Sequence, residues 1–261
     1  MAARVPVPVP AARLAGLRRY NVIAGLFHLV QGIAILLLTN DLAFPIVGRF
    51  LQGPPAPGVP FEDVEVFSLP YGAAVAVFSL LSAVAHFWVS GPGFARYADD
   101  LANNRNITRW VEYAVSSTLM IVLIAVVNSV WDFVALLGLA GANVSMILFG
   151  WLQEKYEEPG TGGLLPFWFG CIAGAVPWIA MFFLLAAPGS DAEPPAFVYG
   201  VVFSLFLFFN SFALVQWLQY KRIGRFADYL VGERTYITLS FIAKTALAWQ
   251  LFGGVLATGS L

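Results

Sequence analysis

Long apolar segments alternate with short polar connections along almost the whole chain. A helix needs about 20 apolar residues to cross a bilayer, and seven segments reach that length. Most connections are short, so neighbouring helices are expected to be antiparallel. The predicted spans cover residues 17–39, 69–89, 107–127, 132–151, 164–187, 196–220 and 229–257. The pattern therefore predicts an all-α membrane protein built as a seven-transmembrane helix bundle.

Two segments stand apart from these spans. Residues 1–16 contain a Val-Pro alternation, which predicts a flexible lead before a helical domain of residues 17–261. The connection 40–68 is too long for a simple turn. Its Gly-Pro-Pro sequence at 53–55 supplies a turn, and residues 64–67 alternate like an exposed strand. We expect a β-hairpin there.

Composition supports an integral membrane protein. Hydrophobic residues make up 59% of the chain and charged residues 11%, whereas soluble domains carry about 25% charged residues. The net charge of -1 gives no reason to expect nucleic-acid binding. A single cysteine, Cys171, excludes an intrachain disulfide.

The basic residues predict the orientation of the helices. Twelve of the 14 lysines and arginines fall on the side of the N-terminus, Arg49 falls on the other side, and Lys244 lies within a span. Cytoplasmic loops carry the excess of basic residues. We therefore expect a seven-pass plasma-membrane protein with a cytoplasmic N-terminus and an extracellular C-terminus.

Lys244 is the one charged residue of residues 235–256. It lies about 13 Å along the helix from Thr235, near the middle of a hydrocarbon core of roughly 30 Å. A lysine at that depth is costly unless it pairs with a buried acid or forms a Schiff base with a carbonyl compound. Ser240 precedes it by one turn and shares its face.

Glu112 is the candidate acid for that lysine. If its helix begins near Asn104, the carboxylate lies about 12 Å into the membrane, at a depth that meets the Lys244 amine. If the core begins at Arg109, Glu112 is shallow and faces polar headgroups. An ionised carboxylate beside the amine would stabilise its protonated form.

His28 and His86 also lie within predicted spans. Three interpretations stay open: satisfied structural histidines, members of a polar network near Glu112, or metal ligands. Two histidines without ligand spacing are a weak metal signal, so no metal site is predicted.

Six stretches of the predicted helices have a distinctive sequence, namely RWVEYAVSSTLMIVLIA (109–125), NVSMILFGWLQEKY (143–156), LLPFWFGCIAG (164–174), FVYG (197–200), SLFLFFNSFALVQWLQY (204–220) and GERTYITLSFIAKTALAWQ (232–250). These stretches strongly resemble heliorhodopsins. The resemblance implies a rhodopsin-like bundle, a light-sensing photoreceptor and not an enzyme, with inverted orientation. It implies all-trans retinal on Lys244, Glu112 as counterion and Ser240 beside the Schiff base.

The resemblance also implies a retinal pocket and further partners. His28 and His86 would belong to a polar cavity on the cytoplasmic side, and the loop 40–68 would form a β-structured lid that helps to make a homodimer. A signalling partner on the cytoplasmic side remains unidentified. The implied pocket residues are Tyr113, Ser116, Ser117, Met120, Asn143, Met146, Trp168 and Phe209.

Proton pumping is not expected from these residues. Microbial pumps place a second carboxylate eleven residues after the counterion, where this chain has Leu123, and usually an acid one turn before the lysine, where it has Ser240. A leucine cannot relay a proton. A slow photocycle with a sensory role is favoured. A light-gated or passive proton or ion channel, and a transporter using Glu112 and Lys244 as a substrate ion pair, are the alternatives.

Overall fold

The computed structural model of the protein describes residues 8–161, 163–191 and 193–256. Helices dominate these residues, and one β-hairpin interrupts them. The elements in chain order are α1 (Ala11–Leu38), β1 (Ala43–Leu51), β2 (Phe61–Pro70), α2 (Tyr71–Ser90), α3 (Phe94–Ala102), α4 (Ile107–Val127), α5 (Phe133–Tyr156), α6 (Leu165–Ala186), α7 (Ala196–Tyr220) and α8 (Tyr229–Leu251). A 3₁₀ turn, Gly224–Ala227, joins α7 to α8, and a π turn, Phe252–Leu256, follows α8.

Seven of the eight helices correspond to the seven predicted spans. Within the described residues, α1, α2, α4, α5, α6 and α7 are long and apolar enough to cross a membrane. The remaining long helix, α8, contains Glu233, Arg234 and Lys244, and it packs against α7, α1 and α2. The seven-helix bundle predicted from the apolar segments is confirmed.

The first helix begins earlier than predicted. It starts at Ala11, so the predicted flexible lead was wrong for residues 11–16, and residues 1–7 lie outside the described part of the chain. The sequence AARLAG at 11–16 is rich in good helix formers. Pro10 immediately precedes the helix. A proline has no N–H, and at this position the helix has no hydrogen bond that needs one.

The helix α3 was not predicted. Its nine residues are too few and too polar to register as a span, but they are strongly amphipathic. Tyr97, Asp100 and Leu101 are buried, while the other face is open. The helix lies between α2 and α4 in the chain, and it packs against α2.

The hairpin between α1 and α2 confirms the expected β-structured loop. The strands β1 and β2 are antiparallel from Ala43↔Pro70 to Leu51↔Phe61, with a bulge between Ile46 and Val47. Such a bulge bends the strand and increases its twist. Beyond it, the Val47 amide donates to the Trp131 carbonyl at 2.9 Å, which ties the hairpin to the α4–α5 connection.

An exposed ion pair closes the outer part of the hairpin. Arg49 Nε donates to Asp63 Oδ1 at 2.8 Å across the two strands, and this hydrogen bond and charge lower the pKa of the Asp63 carboxyl. The outer strand β2 exposes Phe61, Val64 and Val66. The homodimer expected from the family resemblance stays a prediction.

Polar and apolar side chains are segregated along the bundle axis. The largest apolar cluster includes Met120, Leu123 and Val126 of α4 and lies towards the hairpin end. Buried charged residues gather nearer the opposite end, at Arg109, Glu154 and Glu233. The largest apolar cluster and these buried charged side chains therefore lie towards opposite ends of the bundle.

Candidate functional site

A buried ion pair joins Lys244 to Glu112. Lys244 Nζ lies 2.5 Å from Glu112 Oε1, and their side chains are only 4% and 11% exposed. The shallow alternative for Glu112 is therefore not what the structure shows. Ser82, on α2, accepts from Lys244 Nζ at 2.6 Å and donates to Glu112 Oε1 at 2.8 Å. The pair is held by three helices, α2, α4 and α8.

A large apolar cavity reaches the same lysine. Its volume is about 490 Å³, within the usual range for small-molecule sites. Lys244 and Ser240 contribute to one wall, and aromatic rings contribute much of the rest. Six of the eight predicted pocket residues line this cavity, as does Ser240: the six are Tyr113, Ser116, Ser117, Met120, Met146 and Phe209.

Two predicted pocket residues do not line it. Asn143 lies behind the wall, where its amide donates to Ser117 Oγ and Thr118 Oγ1, both at 2.9 Å. Trp168 is 54% exposed, and the prediction that it forms the pocket was wrong on this geometry. Successive residues of a helix are rotated by about 100°, so Phe167 faces the cavity and Trp168 faces outwards.

Several residues of the cavity wall were not predicted from the sequence. Trp178, 6% exposed, replaces Trp168 as the tryptophan contributed by α6, and its ring packs edge-to-face on Phe209 at 5.3 Å between centroids. Trp110 and Tyr236 line the cavity from α4 and α8. The only sequence pattern that could have predicted these wall residues is the helical spacing of aromatic residues. That pattern does not distinguish a pocket from ordinary helix packing.

The two histidines lie together on the Glu112 side. Their rings stack with centroids 5.6 Å apart and planes 8° apart. His86 Nδ1 is 2.7 Å from Asn21 Oδ1, whereas neither ring nitrogen of His28 has a hydrogen-bond partner within the described residues. The described residues include no group of three or more metal-binding side chains. The juxtaposition fits the polar-network interpretation.

A second buried charge cluster was not anticipated. Arg109, one turn before Glu112, forms ion pairs with Glu154 of α5 and Glu233 of α8. The predicted span 132–151 left Glu154 outside the helix, but α5 extends to Tyr156 and buries it. We call Arg109, Glu154 and Glu233 the arginine cluster. Its sequence signal is the order of the charges, with the basic residue before the acidic one on α4 (Arg109, Glu112) and after it on α8 (Glu233, Lys244).

The arginine cluster touches the wall of the cavity. Trp110 Nε1 donates to Glu154 Oε2 at 2.5 Å, and the Arg109 guanidinium lies 4.1 Å from the centroid of the Tyr236 ring. Both aromatic side chains also line the cavity. The two buried charge clusters thus flank the same space.

A model of the heliorhodopsin family matches residues 17–256. The chain belongs to the heliorhodopsin family. No curated protein sequence matches it significantly. This family assignment confirms the resemblance seen in the sequence.

Solved rhodopsin structures share the heliorhodopsin's fold at low sequence identity. The transmembrane domain of Salpingoeca rosetta rhodopsin phosphodiesterase is 12% identical, with a TM-score of 0.65, and the alignment covers 93% of this chain and 84% of that one. Cyanorhodopsin from Tolypothrix is 14% identical (TM-score 0.63; 97% and 100% covered). Exiguobacterium sibiricum rhodopsin is 16% identical (TM-score 0.62; 94% and 98% covered).

Family membership identifies a retinal-binding, light-sensing membrane protein. The cavity suits such a group, since its wall is apolar and aromatic and includes one amine that a retinal aldehyde requires for covalent attachment. The carboxylate beside that amine stabilises positive charge on its nitrogen.

The two tryptophans of α6 provide a direct test of the cavity wall. Trp178→Ala removes a buried ring from the wall, so the visible maximum of the pigment should shift and its thermal stability should fall, by about 3–5 kcal/mol if the gap does not close. Trp168→Ala changes an exposed ring and should leave both properties unchanged. The measurement is the absorption spectrum and melting curve of each reconstituted variant. The opposite ranking would restore Trp168 to the pocket.

Proposed function

We propose that this heliorhodopsin is a light sensor in which all-trans retinal is bound to Lys244 as a protonated Schiff base, with Glu112 as counterion. One observation carries the proposal: the Lys244 amine lies at the cavity wall and is paired with Glu112 2.5 Å away. Burial makes an isolated charge at this position costly, so the pair is needed to hold it.

The residues around the pair have distinct proposed roles. Glu112 balances the positive charge on Lys244 Nζ, and Ser82 bridges the two groups. Ser240, which the family resemblance places beside the Schiff base, lines the cavity with Lys244. Tyr113 places its ring 5.4 Å from Lys244 Nζ, close enough for a cation–π contact. When bound, retinal supplies light absorption and isomerisation; the protein orients it and sets the charge beside it.

The histidines are proposed as members of the polar cavity next to this pair. His86 borders a small polar space that Glu112 also borders, and His28 stacks on His86. Their position links the counterion to polar groups of α1 and α2, and no metal is assigned to them.

A sensory role is favoured over pumping by the outer half of α4. Leu123 is fully buried in the apolar cluster, at the position where a pump needs a second carboxylate. Neither leucine nor its apolar neighbours can relay a proton. A pigment without a route for protons on that side fits a sensor whose output is a change of shape.

The ion pair is tested by replacing each partner. Lys244→Ala should abolish the visible band formed with added all-trans retinal, while Lys155→Ala, a change at an exposed lysine, should keep it. Glu112→Gln should red-shift the remaining protonated pigment, because a missing counterion narrows the excitation gap. The measurement is an absorption spectrum followed by hydroxylamine bleaching in light, which should release retinal oxime from the wild type. A normal pigment in Lys244→Ala would refute the assignment of the Schiff base to Lys244.

Electrical recording separates the sensor from the channel. Under voltage clamp, illuminated cells that express the protein should show no steady photocurrent at any holding potential. A current that reverses with voltage would instead establish the channel. A transporter would take up its substrate in the dark and would need no retinal.

We also propose that all seven helices cross the membrane, with the N-terminus in the cytoplasm and the C-terminus outside. The basic residues at the end of the bundle opposite the hairpin support this orientation, as positively charged loops stay inside. In intact cells, protease should remove a C-terminal tag and spare an N-terminal one. Protection of the C-terminal tag with loss of the other would reverse the topology.

A further inference from the structure

A small polar space connects the two buried charge clusters. Its volume is about 40 Å³, and its walls include Glu112 on one side and Arg109 and Glu233 on the other. One water needs roughly 10–15 Å³ and two or more polar partners. Arg109 Nε and the Tyr236 hydroxyl, both residues of this wall, have no hydrogen-bond partner among the described residues. The space thus accommodates water both by volume and by chemistry.

The charges on its two sides are not equally balanced. On one side, Lys244 and Glu112 neutralise each other. On the other, one guanidinium, Arg109, is shared by Glu154 and Glu233, which leaves one negative charge uncompensated within the arginine cluster. Burying an uncompensated charge is costly, and a proton taken up by a carboxylate removes that cost.

Glu233 is better placed than Glu154 to take up that proton. Glu154 accepts hydrogen bonds from four groups, namely Arg109, Trp110, Tyr229 and the Asn106 amide. Glu233 accepts from fewer groups, namely Arg109, Tyr97 and the Asn106 side chain. Glu233 also borders the polar space, whereas Glu154 does not.

The groups around Glu233 and the polar space include two other carboxylates, Glu112 and Glu154. Those that face it or the polar space from the neighbouring helices are Asn21 of α1, His86 of α2, Tyr97 of α3, Arg109, Glu112 and Tyr113 of α4, Glu154 of α5, and Tyr229 and Tyr236 of α8. A hydrogen-bonded chain also runs from His86 through Asn21 to Tyr97, but an amide does not readily pass a proton on. The polar space is the more direct connection.

We propose that Glu233 stores the proton that light displaces from the Lys244–Glu112 pair. The N–H bond at Lys244 Nζ breaks, the proton passes by way of Glu112 and water in the polar space, and an O–H bond forms on the Glu233 carboxylate. The same path returns the proton in the dark. No charge leaves the protein, because the arginine cluster is itself buried. This inference rests on the proposed function, since light must act on Lys244.

The test is light-minus-dark infrared spectroscopy of the pigment and its variants. The wild type should gain the C=O band of a protonated carboxylic acid in the light, and the band should shift in D₂O. Glu233→Gln should lose this band, and Glu154→Gln, the matched change on the other partner of Arg109, should retain it. Glu233→Asp keeps a carboxyl group and should move the band instead of removing it.

Other patterns would overturn the proposal. A light-induced band that survives Glu233→Gln assigns the stored proton to another carboxyl, and the absence of any such band in the wild type assigns it to a group that is not a carboxylic acid. Both outcomes refute storage on Glu233 while leaving the pigment itself established.

A second measurement uses the protein without retinal, so that it is independent of the chromophore. On acid titration, Glu233→Gln should lose the carboxylic C=O band that grows in first among the buried groups, and Glu154→Gln should retain it. Loss in Glu154→Gln alone would contradict the order of proton uptake inferred here. Failure to bind retinal would refute the proposed function without affecting this titration.

Discussion

Two buried ion pairs join α4 to α8: α4 contributes the base of one pair and the acid of the other. The polar half of the bundle is organised around these two pairs. On α4, Arg109 precedes Glu112 by one turn; on α8, Glu233 precedes Lys244 by about three turns. Removing one partner of a buried pair typically costs about 3–5 kcal/mol, because the other charge is left unpaired. The pairs therefore fix how these two helices lie relative to each other. Polar side chains of other helices complete the hydrogen bonds of the paired residues.

Each neighbouring helix contributes to this arrangement through a particular side chain. Ser82 of α2 joins both members of the first pair, and Glu154 of α5 binds the arginine of the second. Tyr97 places the short helix α3 in the same network. The cavity begins where these polar contacts end, and Trp110 and Tyr236 belong to both regions. A change at the lysine can thus reach the end of the bundle opposite the hairpin through packed side chains.

The sequence was sufficient for the features that depend on local pattern. Apolar segment length predicted the seven helices, and the position of Lys244 within one of them predicted a buried site. The hairpin followed from alternation and turn residues. The predictions were wrong where tertiary packing determines which side chains are buried. Trp168 and Trp178 are both aromatic residues of one apolar helix, and only the rotation of α6 against its neighbours distinguishes them. The burial of Glu154 depended on where α5 ends, which composition alone does not define.

The segregation of polar and apolar residues along the axis has an electrical consequence. A charge that crosses the whole membrane gains about 2.3 kcal/mol per 100 mV. Here the buried ionised groups Lys244, Glu112, Arg109 and Glu233 occupy one half of the bundle, while the apolar cluster around Leu123 fills the other. Charge that shifts among these groups traverses only part of the field. Such a shift therefore couples to the membrane potential less strongly than the transport of one charge across the whole membrane.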